Sequence, residues 1–353
     1  MRLLLIIARS DFGGGPRHVD QLIDQLPSDV EIYAAYPPNG EPYGQKWDRC
    51  SRIKSRYPLP YRKFSVGTLL KLKKFVIEND IDIIHSHGNG AGVYSRLLKL
   101  MGIKSRIVHT FHGVTNNYTS YVKKIANSIS GKILRLFTDE FICVSKGEYA
   151  LALQSKFIVP NRSKVVYNGI ENNQTFVQKS KQFNVVTLSR FDYQKNMDMA
   201  LAIARKLKDE NIRFVWVGDG TDFERLKNVA EQERLNIDFV GFSKEPFKYL
   251  QAAYIYLSTS RFEGLPYALI EAAQAALPIV ATNVVGNNEC LDDGKTGYLF
   301  DTVEMAAKYI LQLKEDPMLY KEMSKQSLTF YENNFTLNKM ICELVHVYRS
   351  QTM

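Results

Sequence analysis

Residues 258–273 read STSRFEGLPYALIEAA, and the way this stretch turns decides the fold. It follows an apolar run, Tyr254–Leu257, that reads as a strand. The chain then bends through Glu263, Gly264, Leu265 and Pro266 and continues with Tyr267, Leu269, Ile270 and Ala273 at helical spacing. Pro266 is expected in the first helical turn, where its missing N–H costs nothing. A strand that ends in a Gly-containing loop and re-enters a helix presents backbone N–H groups to an anion. Two carboxylates bracket the turn, Glu263 in the loop and Glu271 inside ALIEAAQAA. Among such small and apolar neighbours an unpaired carboxylate is costly, so Glu271 needs donors, which the vicinal hydroxyls of a ribose would supply.

Working outward, the same strand-turn-helix rhythm recurs along the whole chain. Arg2–Ala8 is a continuous apolar run, as in a parallel strand buried on both faces. DFGGGPR, Asp11–Arg17, turns it into a helix carrying Val19, Leu22, Ile23 and Leu26. Further strands are expected at Glu31–Tyr36, Ile81–His85, Ile107–His112, Phe141–Val144 and Val165–Gly169, with a helix at Leu69–Ile77 and a basic loop at Lys46–Lys63. The polar tract Glu171–Gln182 reads as a linker. The rhythm restarts at Phe183–Ser189, then Phe214–Val217, Phe239–Val240 and Ile279–Ala281. Alternation of this kind implies parallel sheets, and 353 residues suffice for two domains with separate cores.

Composition narrows the classes. Apolar residues make up 45% and charged residues 24%, ordinary for a soluble globular chain. No run of 18 apolar residues exists, so no membrane span is expected, and the first apolar run reads as a buried strand rather than a signal peptide. Cys50, Cys143, Cys290 and Cys342 form no C-x-x-C pair, which suits a reduced cytoplasm and argues against disulfides or zinc. Charge is uneven. Residues 1–175 hold 25 Lys/Arg against 14 Asp/Glu, whereas the rest holds 21 against 23. A basic N-terminal half implies an anionic partner; nucleic acid, anionic lipid and a phosphorylated substrate all stay open on charge alone. Lys123, Lys124, Lys132 and Arg135 flank an apolar stripe, Val122, Ile125, Ile129, Ile133 and Leu136, expected on a helix over Tyr118–Phe137. Such a stripe either packs into the core or lies in a membrane interface.

Candidate chemistry sits at strand ends. Arg190 and Lys195 occur in SRFDYQKN after the first strand of the second half, and His109 and His112 close IVHTFHG. Open α/β sheets bind ligands at the carboxyl ends of their strands. Three consecutive glycines, Gly13–Gly15, let backbone approach a ligand, but G-x-G-x-x-G is absent, which disfavours a dinucleotide enzyme. Asp80 and Asp82 form a D-x-D that precedes its strand and is read as a strand entry, not a metal site.

Together these motifs resemble the retaining GT-B glycosyltransferases of family 4 (glycosyltransferase group 1). Glu263 and Glu271 match the E-x7-E pair, Arg190 and Lys195 the R-x4-K, and His112 the T-F-H-G segment. Gly13–Val19 looks like the GGxxRHV turn, with Gly15 and Pro16 at its variable positions, and Asn168 matches the last strand of the N-terminal domain. Val285, in NVVGNNE, departs from the family, where a second glycine is usual. The resemblance implies two Rossmann-like domains with parallel sheets facing across a cleft: 1–175 binding the acceptor, 176–333 binding the nucleotide sugar, and 334–353 a helix crossing back. It implies transfer of a hexosyl group, with retention and without metal or cofactor, from a nucleotide-diphosphate sugar, UDP favoured. The acceptor is a hydroxyl of a glycan or lipid-linked molecule in surface polysaccharide or glycolipid synthesis. By the same resemblance Arg190, Lys195, Glu263 and His112 are catalytic, and Gly14, Gly15, Gly264, Leu265, Glu271 and Phe242 hold the donor. His112 and Asn168 meet the acceptor. Nucleic acid is not an expected partner. The expected location is cytoplasmic, peripheral on the inner face of the membrane. A nucleotide-sugar epimerase of the same architecture is the alternative.

Overall fold

A computed structural model describes residues 1–38, 40–114, 129–172 and 179–350. In the first unit seven parallel strands run in the order β3-β2-β1-β4-β5-β6-β7. They are β1 (Arg2–Ile7), β2 (Glu31–Tyr36), β3 (Ile53–Pro58), β4 (Ile83–His87), β5 (Arg106–Thr110), β6 (Glu140–Cys143) and β7 (Ser163–Val165). β1 lies between β2 and β4, and Leu3, Leu4, Leu5 and Ile6 are essentially inaccessible on both faces. Helices Gly14–Gln25, Val66–Glu78 and Gly88–Leu100 bury one face each, among them Leu22, Leu72 and Leu98. Strand order reverses between β1 and β4, and this is the sheet's topological switch point.

The second unit repeats the plan with six parallel strands, in the order β10-β9-β8-β11-β12-β13. These are β8 (Asn184–Leu188), β9 (Arg213–Val217), β10 (Ile237–Gly241), β11 (Ile255–Ser258), β12 (Ile279–Thr282) and β13 (Gly297–Phe300). Its core joins Val185, Trp216, Ile255 and Val280 of the strands to Leu201, Leu226 and Ile310 of the helices. The switch point falls between β8 and β11. The quoted stretch therefore begins at this sheet's switch strand, and its helix starts at Tyr267 as expected and runs to Gln274, with Pro266 as the extended N-cap residue rather than in the first turn.

The units divide at Met1–Asn168 with Asn338–Met353, and Gly169–Leu337, rather than at 175/176 and 333/334. The reason is local pairing: Ile170 N–H donates to Phe335 carbonyl at 3.0 Å, and Leu337 N–H to Ile170 carbonyl at 2.9 Å. From Asn338 the last helix belongs to the first unit. There Arg106 caps it by donating to the carbonyls of Val347 at 2.7 Å and Ser350 at 2.9 Å.

Three local expectations change. The supposed loop Lys46–Lys63 contains the end of helix Tyr43–Asp48 and the edge strand β3. Its arginines are structural: Arg56 donates to Trp47 carbonyl at 2.9 Å, and Trp47 is fully buried. β4 lies two residues beyond Ile81–His85, because Asp82 is bound at the entry, accepting from Arg2 N–H at 2.7 Å. Asp80 pairs with the Arg2 guanidinium at 3.0 Å. The last strand of the first sheet is β7, so Asn168 lies in the loop beyond it. Val122, Ile125, Lys123, Lys124 and residues 173–178 of the tract 171–182 lie outside the described residues.

Candidate active site

In the second unit the polar residues gather past the ends of β8 and β11. The loop after β8 is held by glycine. A Cβ on Gly218, at φ +137°, would stand 1.8 Å from Ser189 carbonyl, and one on Gly220 2.5 Å from Phe191 carbonyl. The GDG turn after β9 therefore lies flush against Ser189–Phe191, and Phe191 N–H donates to Asp219 carbonyl at 3.0 Å. That contact fixes the backbone from which Arg190 and Lys195 project.

Lys195 Nζ meets Glu263 Oε1 at 2.6 Å, with 18% and 8% of the two side chains exposed. Glu263 also accepts from Ser260 Oγ at 2.7 Å and Gln194 Nε2 at 3.2 Å. A charge pair this poorly hydrated is stable only with such additional donors. Gln194 links the two cations, since its Oε1 accepts from Arg190 at 3.1 Å. Arg190 itself pairs with Asp192 at 2.9 Å and keeps half its side chain in solvent. A cation paired weakly and exposed can exchange its partner for a phosphate; Arg does so bidentately.

The Glu263 turn is shaped from behind by Gly286, whose φ is +87°. A Cβ there would lie 2.6 Å from Gly264 carbonyl. Val285 stands in the family's glycine position without disturbing this path: its carbonyl accepts from Glu263 N–H at 3.2 Å. Leu265 is buried, and Glu271 is partly exposed on helix Tyr267–Gln274. Burial, then the nearby Glu271 and Glu263, push the Tyr256 hydroxyl well above its usual range, so both acids bear on the end of β11. Phe242 stands apart from this group, half exposed beyond the edge strand β10.

The first unit's switch point carries imidazoles instead. Gly14 and Gly15 open the helix after β1, and His18 follows on its buried face. His87 ends β4, and His112 follows β5 at φ +61°, a left-handed conformation rare for a residue with a Cβ. A Cβ on Gly15 would rest 3.6 Å from His112 Cδ2, so those two expected residues are neighbours. His87 Nδ1 and His112 Nε2 share a hydrogen bond of 3.1 Å, and His18 Nδ1 bonds Asn168 Oδ1 at 3.2 Å. Burial holds all of these imidazoles neutral. His18 is lowered to about 4, and His87 and His112 fall well below the usual value, their neighbours' charge adding to the effect. His109 points elsewhere, to Ser86 Oγ at 2.9 Å.

Glu148 secures the strained His112 turn. Its carboxylate accepts from the backbone N–H of Gly113, of Val114 at 3.0 Å and of Val144 at 2.7 Å. Its own N–H donates to Ser145 Oγ at 3.0 Å. Sequence reading passed over His18, His87, Ser260, Gln194 and Glu148. Glu148 had a readable signal, the S-x-x-E spacing of a capping box after Ser145, and His18 is the histidine of the GGxxRHV turn.

Two Rossmann-like units of parallel strands, with the cationic loop at the second switch point, define the GT-B class. The model "Glycosyltransferase Family 4" matches residues 12–174, and "Glycosyl transferases group 1" matches residues 170–329. The chain belongs to the group 1 glycosyltransferases. It is 26% identical over 309 residues to a capsular polysaccharide biosynthesis glycosyltransferase, CapH, of Staphylococcus aureus, covering 84% of each chain. It is 22% identical over 307 residues to the UDP-Gal:alpha-D-GlcNAc-diphosphoundecaprenol alpha-1,3-galactosyltransferase of Escherichia coli, covering 80% of this chain and 78% of that one. In fold it is similar to Anabaena HepE, crystallised with UDP and glucose. The TM-score is 0.85 at 16% identity, with 99% of this chain and 100% of that chain covered.

Proposed function

We propose that this glycosyltransferase moves a hexosyl group from a UDP-sugar to a hydroxyl of a lipid-linked or glycan acceptor during surface polysaccharide synthesis, with retention and without metal. The observation that carries this reading is the Lys195–Glu263 pair with Arg190 beside it at the second switch point. Cleaving a sugar–diphosphate bond leaves an electron pair on the departing phosphate oxygen, and that charge must be met as it forms. Arg190 and Lys195 meet it, and the helix N-terminus at Tyr267 adds its dipole. Glu271 takes the ribose hydroxyls and Glu263 the sugar. His112 accepts or donates a hydrogen bond to a sugar hydroxyl as a neutral imidazole. Asn168 lies on the acceptor side, with His18 as its partner.

Glu263 is already engaged by Lys195, Ser260 and Gln194, which makes it a poor nucleophile. Front-side attack follows: the acceptor oxygen bonds C1 on the face the phosphate leaves, and its proton passes to the departing phosphate oxygen. CapH and the galactosyltransferase, by their names, motivate the polysaccharide and the UDP-linked donor. Proton NMR of the fresh linkage tests retention. The donor's anomeric configuration should persist in the product, and an inverted product would refute front-side transfer. Chelator should leave the rate unchanged.

The acceptor side is read as docking on an anionic membrane surface. No helix among the described residues is long and apolar enough to cross a membrane. Ile129, Ile133 and Leu136 are each more than half exposed beside Lys132, as an interfacial face requires. Co-sedimentation with anionic vesicles should fade with salt and in Lys132→Glu/Ile133→Ser. A protein that stays in the supernatant at low salt would contradict docking.

A further inference from the structure

All six of the chain's histidines lie in the first unit, and three of them converge from separate elements. His18 comes from helix Gly14–Gln25, His87 from the end of β4, and His112 from beyond β5. One ring nitrogen from each lies within 4.8 Å of the others. A tetrahedral ion with imidazole nitrogens at its usual bond length spaces its ligands about 3.3 Å apart. His87 Nδ1 and His112 Nε2 already stand at 3.1 Å, close to that spacing.

The surroundings prepare His18 as a ligand. The Asn168 oxygen accepts from His18 Nδ1, which leaves the lone pair on Nε2. Metal-binding histidines are fixed through their second nitrogen in this way. His18 Nε2 is buried and has no hydrogen-bond partner among the described residues. His112 is only partly enclosed, which gives an ion and a fourth, exchangeable ligand a way in. An all-imidazole set suits zinc, nickel or copper and offers nothing to magnesium or calcium, which prefer oxygen.

We propose that His18, His87 and His112 form a binding site for a divalent ion of the zinc class, and that the ion competes with the transferred sugar for His112. The second half rests on the role given to His112 above; the first does not.

Titrating the full chain with Zn²⁺, with no donor or acceptor present, tests the site. One ion per chain should bind in the micromolar range or tighter. His18→Gln and His87→Gln should each weaken binding by at least about a hundredfold, more than the loss of a second-shell contact. Cys342 and His346, both exposed one turn apart on helix Leu337–Arg349, are the rival ligands. Binding that survives Cys342→Ser/His346→Gln supports the cluster, and binding abolished there overturns it. So does the absence of saturable binding to the unaltered chain. Where a histidine variant misfolds, Co²⁺ on the unaltered chain decides. Intense four-coordinate visible bands without thiolate absorption support the site, and a weak six-coordinate spectrum overturns it. Zn²⁺ should then raise the apparent KM for the donor. Tight binding with no effect on transfer would overturn the role of His112 while leaving the ion site standing.

Discussion

The two switch points are built on one plan and filled with opposite chemistry. In the first, neutral hydrogen-bonded imidazoles come from the end of β4, the turn after β5 and the helix after β1; in the second, the loops after β8 and β11 carry a Lys–Glu pair and an exposed arginine. Backbone geometry places ligands at strand ends in both, so the fold selects the location and the side chains select the charge of what is held. Neutral donors suit sugar hydroxyls, whereas mobile cations suit a diphosphate. Even the supporting carboxylates differ. Glu148 is spent on backbone N–H groups that hold a turn, while Glu263 is spent on a cation that the reaction uses.

Removing the cation from the second site should have the largest effect. Lys195→Ala strands Glu263, and breaking one side of a poorly hydrated pair costs about 3–5 kcal/mol of stability. Lys195→Met/Glu263→Gln should regain most of that in urea denaturation without regaining turnover. If turnover returns with stability, Lys195 is structural and the contrast between the sites collapses.

Next comes the first site's anchor. Glu148→Gln removes the carboxylate that accepts from Gly113, Val114 and Val144, and hydrogen bonds to a charged group are worth about 1.5–3 kcal/mol. Loss of that order, with KM rising more than nucleotide affinity falls, would sharpen the comparison. An unchanged KM would show that the left-handed His112 turn holds itself.

This anchor also shows what the sequence could and could not reveal. β1 and β2 were readable because a strand buried on both faces must be an apolar run. β3 was not, because an edge strand half in solvent carries Lys54 and Arg56 like any loop. His87 was hidden for a related reason: β4 ends in IIHSH, where buried polar side chains interrupt the run that marks a strand. Arg190, Lys195 and Glu263 were singled out by their resemblance to the family's R-x4-K and E-x7-E motifs, but their link through Gln194 and Ser260 was not legible, since those residues meet only when β8 and β11 become neighbours.

The pH dependence of stability separates the units further. His109 is buried beside Arg96, and burial, followed by that charge, holds its imidazole well below the usual value of 6.5. Its unfolded form therefore takes up protons that the folded form refuses. Its contribution to stability is complete above pH 6.5 and declines as pH falls below it, by about 1.4 kcal/mol one unit lower. Chemical denaturation between pH 7.5 and 5.5 (roughly one unit either side of the imidazole range) should show this slope flattened in His109→Gln. An equal slope in that variant would remove His109 as its source.

Arg190→Ala should change stability least, within about 0.5 kcal/mol, because an exposed pair such as Arg190–Asp192 contributes little. It should still lower turnover roughly ten- to a hundredfold. A large stability loss would make Arg190 part of the scaffold.

The division of labour between the two sites is tested most directly by calorimetric titration with UDP alone. Arg190→Ala and Glu271→Gln should each weaken UDP binding at least about tenfold, the effect of one charge-assisted contact, while His112→Ala leaves it unchanged. Normal UDP affinity in Arg190→Ala together with a loss in His112→Ala would contradict the assignment of the anionic nucleotide to the second unit.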